Sequence, residues 1–181
     1  TEYALIELSD KIAQSIDKKK LMIGIFVDLS KAFDTLNHEI LLSKLAHYGI
    51  RGVSNEWFRS YLSNRNQFVV FNNVLSAKSK ITTGVPQGSI LGPLLFLLYI
   101  NDICNSSQIL HFILYADDTN IFYSSENINE LCTTINNELR CVMQWFITNR
   151  LSVNIKKTNF VIFGTQAKIK YISKCTIFME N

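Results

Sequence analysis

The four residues Tyr115-Ala116-Asp117-Asp118 constrain this chain more than any others. They stand between two apolar runs, Leu110-His111-Phe112-Ile113-Leu114 and Thr119-Asn120-Ile121-Phe122-Tyr123. Each run has the length and composition of a strand, and the tight connection predicts a β-hairpin. Adjacent aspartates at its tip repel each other, which costs stability unless a cation shares the site. Hard oxygen ligands at such a turn suit Mg²⁺. A polar turn without chemistry is the other reading, because Asp is a common turn residue.

A third carboxylate comes from the run Leu21-Met22-Ile23-Gly24-Ile25-Phe26-Val27-Asp28-Leu29. The run is apolar on both faces, as a central buried strand is, and it delivers Asp28 at its C-terminal end. Asp28 is costly to place there without a purpose, although an N-cap is the bland alternative. Asp34 is the better cap candidate for a helix over residues 35–48, where Leu36, Ile40, Leu41 and Leu45 recur at helical spacing. On that helix His38 and His47 read as packing residues.

Elsewhere the periodicities predict a helix over residues 2–17, with Leu5, Leu8, Ile12 and Ile16 as its apolar stripe, and a helix over 55–62 capped by Ser54. Residues 67–71 and 74–81 read as two strands around Asn72-Asn73. The loop Thr83-Gly84-Val85-Pro86-Gln87-Gly88-Ser89 opens a run over 90–100 that is hydrophobic all round and so predicts a buried helix. A glycine-bearing loop ahead of a helix offers amide donors to a phosphate or sugar, but no G-K-[ST] follows, so it is not a P-loop. Ile128, Leu131, Ile135, Leu139, Val142, Met143 and Phe146 mark a long helix with a capping box at Asn127 and Glu130. Leu151, Val153 and Ile155 alternate with polar residues. Residues 159–163 read as another strand, and 169–172 and 175–179 as short β-prone stretches.

Composition sets limits. Hydrophobic residues make up 48% of 181, enough for a core, and the net charge of +3 is only mildly basic. Arg150, Lys156, Lys157, Lys168, Lys170 and Lys174 face Glu180 alone near the end, a stretch that either meets phosphate or is simply solvated. Cys104, Cys132, Cys141 and Cys175 have no metal-site spacing and read as thiols in a reducing compartment. The longest apolar stretch falls short of the ~20 residues a bilayer needs, so no membrane span is expected. The chain begins without Met and already helical, which reads as a segment of a longer protein.

These elements predict an α+β fold: an antiparallel sheet with helices on one face, in a split βαβ arrangement. If the strand over 21–29 lies beside the hairpin, Asp28, Asp117 and Asp118 converge. Three carboxylates in one place suit two divalent ions ~3.5–4 Å apart, the arrangement that serves in-line phosphoryl displacement.

The residues also carry a resemblance. Phe26-Val27-Asp28 through Phe33, then Gly84-Val85-Pro86-Gln87-Gly88, Tyr115-Ala116-Asp117-Asp118, and Leu151-Ser152-Val153-Asn154 with Lys156-Lys157-Thr158 resemble the ordered motifs of reverse transcriptases. The flanking residues, 26–34 and 87–96, are similar to those of non-LTR, LINE-type retrotransposons. The likeness covers almost the whole chain.

The resemblance implies a right-hand polymerase palm spanning 1–181 with part of the fingers, the thumb missing. Such a domain would add dNTPs to a DNA primer on an RNA template, with two Mg²⁺, for which Mn²⁺ can substitute. Asp28, Asp117 and Asp118 would be the catalytic metal ligands, with the Leu29 carbonyl completing a shell. Ala32, Phe33, Gln87, Gly88 and Lys157 would bind the nucleotide. Phe33, five residues after Asp28, would be the gate whose ring excludes a ribose 2′-OH. Core packing is its plain alternative. Lys157 would approach the triphosphate, where otherwise it is a solvated lysine, and Tyr115 would pack near the primer terminus. The resemblance also implies an intracellular, nuclear protein, with an endonuclease, the remaining fingers and the thumb elsewhere in the parent. Without those parts, the stretch is expected to fold poorly and catalyse little by itself.

Overall fold

A computed structural model describes residues 2–170, 172 and 175–179. Lys174 and Glu180 of the basic stretch, and Tyr171 within a β-prone stretch, lie outside them. The elements in chain order are α1 (Glu2–Asp17), β1 (Leu21–Val27), α2 (His38–His47), α3 (Val53–Leu62), β2 (Asn66–Gln67), β3 (Val70–Phe71), β4 (Val74–Leu75), β5 (Ser79–Lys80), α4 (Leu91–Ile100), a 3₁₀ segment (Asn101–Ser106), β6 (His111–Tyr115), β7 (Asp118–Ser125), α5 (Ile128–Thr148), β8 (Asn159–Phe163) and α6 (Gln166–Ile169). They form two units, one from residues 1–30 with 101–181 and one from residues 31–100.

The first unit is built on a four-stranded antiparallel sheet of order β6-β7-β1-β8. β1 is central because it is apolar on both faces: Ile23 and Ile25 are 0% and 1% exposed. Burying a side chain of that size contributes about 2 kcal/mol. Even positions of β1 meet α1, where Met22, Phe122 and Ile113 pack with Ala4, Leu8 and Ile12. Odd positions, with Ile121, turn to the opposite face, and α5 touches both β1 and β7. Helices therefore cover both faces of this sheet, not one as expected. An amphipathic stripe shows that a helix packs on a sheet but not on which side.

α5 begins at Asn127, whose side chain accepts from the Asn129 N–H at 2.8 Å. The expected capping box is relayed: the Asn127 N–H donates to Ser125 Oγ, and that hydroxyl donates to Glu130. The residues from 175 to 178 lie along α5. Cys175 is disulfide-bonded to Cys132, and Asn136 exchanges hydrogen bonds with Thr176 and Phe178. This corrects the expectation of four thiols, which rested on spacing; a pair separated by 43 residues leaves no local pattern to see. Cys104 and Cys141 are free and exposed. The stretch 169–172, expected as β-prone, enters α6 at Ile169 instead, and the described residues 175–179 form no strand.

The second unit holds α2, α3, α4 and a β-hairpin arm. α2 starts at His38, capped by Asn37, whose side chain accepts from the Ile40 N–H. Asp34 is therefore not the cap; a turn over residues 30–34, with Lys31 at φ 52°, delays the helix by three positions. α3 likewise starts one residue before Ser54, with Gly52 at its cap position. α4 buries only Gly92, Leu95, Phe96, Tyr99 and Ile100, while Leu94 is half exposed and Ile90, just before it, is 95% exposed. The expectation of burial all round fails because hydropathy alone does not say how much of a helix its neighbours can cover.

Candidate active site

In the first unit the register decides which side chains meet. β1 pairs with β7 from Leu21↔Ser125 to Val27↔Thr119, and β6 pairs with β7 up to Tyr115↔Asp118. The residue after Val27 is Asp28, and the residue before Thr119 is Asp118, so both lie at the same end of two neighbouring strands. Asp117 is in the two-residue turn with Ala116, which takes the left-handed φ of 52° that the tight connection needs. Asp117, Asp118 and Tyr115 are exposed, and Asp28 is half-buried.

The end of β1 is tied down from its other side. The Asp28 carbonyl accepts from the Asn154 N–H at 2.8 Å, and the Asp28 N–H donates to Thr158 Oγ1 at 3.2 Å. Leu29 pairs with Val153, and the Ser30 N–H donates to the Ser152 carbonyl. Neither ladder bond uses the Leu29 carbonyl. Lys157, exposed, sits in the turn between Asn154 and Thr158, at the Asp28 end of the sheet. Lys168 acts elsewhere. Its ammonium donates to the carbonyls of Lys19 and Glu126, so it closes loop ends.

Backbone register thus gathers Asp28, Leu29, Tyr115, Asp117, Asp118 and Lys157 at one sheet end. The side chains themselves are less gathered. Among the described residues no three His, Cys, Asp or Glu side chains form a group closed enough to hold a metal ion. The donor set still fits a hard divalent cation: three carboxylates at one end of neighbouring strands, two of them at an exposed hairpin where rotation is open.

In the second unit Phe33 is half-buried, its ring 4.8 Å from that of Phe96 on α4. Ala32 beside it is buried. The segment over 33–37 is laced to the glycine loop: the Val85 N–H donates to the Phe33 carbonyl, the Gly84 N–H to the Leu36 carbonyl, and Asn37 pairs with Thr83. Gln87 is exposed and its amide donates to the Asp34 carboxylate at 2.7 Å. Gly88 follows at φ 80°, and Ser89 Oγ accepts from the Gly92 N–H, turning the loop into α4. Sequence reasoning missed the Asp34–Gln87 contact. The two residues are far apart in the chain, and only their shared polarity hinted at a pairing.

Residues 4–174 match the family described as reverse transcriptase (RNA-dependent DNA polymerase). The chain belongs to the reverse transcriptase family. Among reverse transcriptases it is similar to the probable RNA-directed DNA polymerase from transposon BS of Drosophila melanogaster, 32% identical over 164 residues, 83% of this chain. It is also 26% identical, over 84% of its length, to the RNA-directed DNA polymerase from mobile element jockey of the same fly. These matches support the resemblance to the non-LTR retrotransposon branch. The chain spans 17% of the length of each of these relatives.

Among solved structures, two telomerases share the fold of this chain. Telomerase from Candida albicans, with a fragment of telomeric RNA, superposes with a TM-score of 0.62 at 17% identity, covering 86% of this chain and 30% of that one. Apo telomerase from Candida tropicalis gives 0.61 at 15% identity, covering 86% and 32%. The antiparallel sheet with flanking helices is that of a polymerase palm. Among the described residues no helix is long and apolar enough to cross a membrane.

Proposed function

We propose that residues 1–181 are the palm, with part of the fingers, of an RNA-directed DNA polymerase that extends a DNA primer 3′-OH with dNTPs on an RNA template. The observation that carries this reading is the register placing Asp28 and Asp118 at one end of neighbouring strands, with Asp117 in the adjoining turn. Asp28, Asp117 and Asp118 would hold two Mg²⁺ ions, with the Leu29 carbonyl as a further neutral oxygen. Bound there, such ions would supply the charge that activates the attacking hydroxyl and steadies the leaving pyrophosphate.

The chain's own residues do the rest. Lys157 brings a cation to the triphosphate and gives a proton to the departing pyrophosphate. Phe33, held against Phe96, fills the volume a 2′-OH would need, which selects dNTPs. Gln87, kept in place by Asp34, and Gly88 line the nucleotide and template, and Ala32 joins them in binding the nucleotide. Tyr115 packs near the primer terminus. The remaining fingers, the thumb and an endonuclease belong to the rest of the parent, and the likeness to the non-LTR retrotransposon branch favours a nuclear protein.

The test is primer extension by the complete parent against Asp117→Asn with Asp118→Asn. A loss of about a thousandfold or more is expected, since the carboxylates position the charge-stabilising ions. Undiminished extension would reduce the domain to a nucleic-acid-binding module.

A further inference from the structure

Periodicity gives His38 only a packing role on α2, yet its ring has a partner within the second unit. His38 Nε2 lies 2.7 Å from the Gly84 carbonyl oxygen, 46 positions along the chain. A carbonyl only accepts, so Nε2 carries the hydrogen and donates it. Gly84 is buried, and a buried carbonyl that loses its donor is costly. The N–H of the same residue donates to the Leu36 carbonyl at 2.7 Å. Gly84 is therefore held on both sides by the segment that leads into α2. The approach is so close that a Cβ on Gly84 would lie 2.6 Å from the Asp34 carbonyl oxygen.

His38 donates from a fixed base. It opens α2, whose first turn is capped by Asn37 through the Ile40 N–H, and Leu41 and Leu45 behind it are fully buried. Further along α2, the Lys44 ammonium donates to the Tyr99 carbonyl at 2.6 Å, near the end of α4, the helix into which the loop runs. The ring does not reach what Gln87 reaches. Asp34 and Gln87 line a cleft of about 630 Å³ that His38 does not line. His38 faces a second cleft of about 260 Å³, beside Leu42, Leu62 and Ile81. It stands behind the loop, so it acts on anything Gln87 meets only through Gly84.

Gln87 is three positions after Gly84. Between them Val85 is buried, with its N–H donating to the Phe33 carbonyl at 2.8 Å, and Pro86 has its φ fixed by its ring. Gln87 and Gly88 are exposed. A stretch this short, pinned at its buried end, has little freedom at its exposed end. The Gln87–Asp34 bond joins two exposed groups and competes with water, so it orients Gln87 but leaves the placing of the loop to Gly84. We propose that His38 is a positioning residue: its hydrogen bond to the Gly84 carbonyl sets the loop so that Gln87 and Gly88 present a fixed wall to the incoming nucleotide. The proposal rests on the reading in which this loop lines the nucleotide.

The measurement is steady-state primer extension by the complete parent with the dNTP concentration varied. His38→Ala should raise the KM for dNTP about tenfold and change kcat, per folded enzyme, by less than about twofold. Two conservative variants carry a donor to different reaches. A Gln amide nitrogen sits where the imidazole Nε2 does, and an Asn amide nitrogen only where Nδ1 does. His38→Gln should therefore restore most of the lost affinity, and His38→Asn should not. A side chain that only packs would change the amount of folded enzyme, leave KM alone and not distinguish Gln from Asn. His38→Asn matching His38→Gln would thus overturn the proposal. Gln87→Ala separates it from the reading beneath it. A raised KM in Gln87→Ala beside an unchanged KM in His38→Ala would overturn the role of His38 and leave the loop at the nucleotide. An unchanged KM in both would overturn both.

Discussion

Val27 stands directly across from Thr119 in the ladder between β1 and β7. That pairing fixes what comes next on each strand, so Asp28 and Asp118 emerge at the same edge while the hairpin adds Asp117. A slip of one residue would send one of the two acids to the other face. The register is held by burial, since Val27 and Thr119 are 3% and 0% exposed.

Thr119 contributes to this at a cost. Its hydroxyl is buried and has no hydrogen-bond partner among the described residues. Thr119→Val keeps the shape and removes the stranded group, so it should stabilise the chain by about 1 kcal/mol, read as a higher urea midpoint. A lower midpoint would mean that the hydroxyl is satisfied.

Gly84 is irreplaceable for a local reason. Its φ is 82°, and a Cβ there would lie 2.6 Å from the Asp34 carbonyl oxygen. Gly84→Ala should cost about 3 kcal/mol, from backbone strain and the clash. Gly88 has a similar φ of 80° but open space around it, so Gly88→Ala should cost only about 1 kcal/mol. Equal costs would show that the clash is relieved by movement of the loop.

Phe33 has two roles to separate. Its contact with Phe96 predicts that Phe33→Ala loses about 2 kcal/mol of stability in urea unfolding. The gate role predicts that the complete parent carrying the same change incorporates rNTPs more readily. Lost stability with unchanged rNTP use would leave Phe33 as core alone.

Much of this was legible in the sequence because it is written in local periodicity. The stripe of α1, the two-faced apolar run of β1 and the paired runs around Asp117 each announce their element. The four ordered motifs then named the family. What was illegible depends on partners distant in the chain. Asn37 rather than Asp34 caps α2 because Lys31 takes a left-handed turn first, and Asp34 is held by Gln87. The exposed side of α4 at Leu94 and the packing of α1 opposite α5 are matters of orientation, which composition does not encode.

The cysteines offer a chemical check. Without reductant, iodoacetamide should label Cys104 and Cys141 only, and reduction should expose Cys132 and Cys175. Closing a loop of 43 residues is worth at most about 4 kcal/mol, lost on reduction. Although the residue is exposed, partial desolvation of the Cys104 thiol raises its pKa, a backbone hydrogen bond opposes this, and Asp102 adds to the rise. A raised pKa leaves less thiolate at a given pH, so Cys104 should alkylate more slowly at pH 8 than a cysteine in an unstructured peptide. Equal rates would contradict the raised pKa.

The most direct test of the three-acid cluster is a double-mutant cycle on primer extension by the complete parent, using Asp28→Asn, Asp117→Asn and the pair together. Groups that hold the same ions act as a unit, so each single change should cost about a thousandfold and the pair scarcely more. Losses that multiply, or an Asp28→Asn enzyme that extends at the original rate, would show that the strand end and the hairpin do not serve one site.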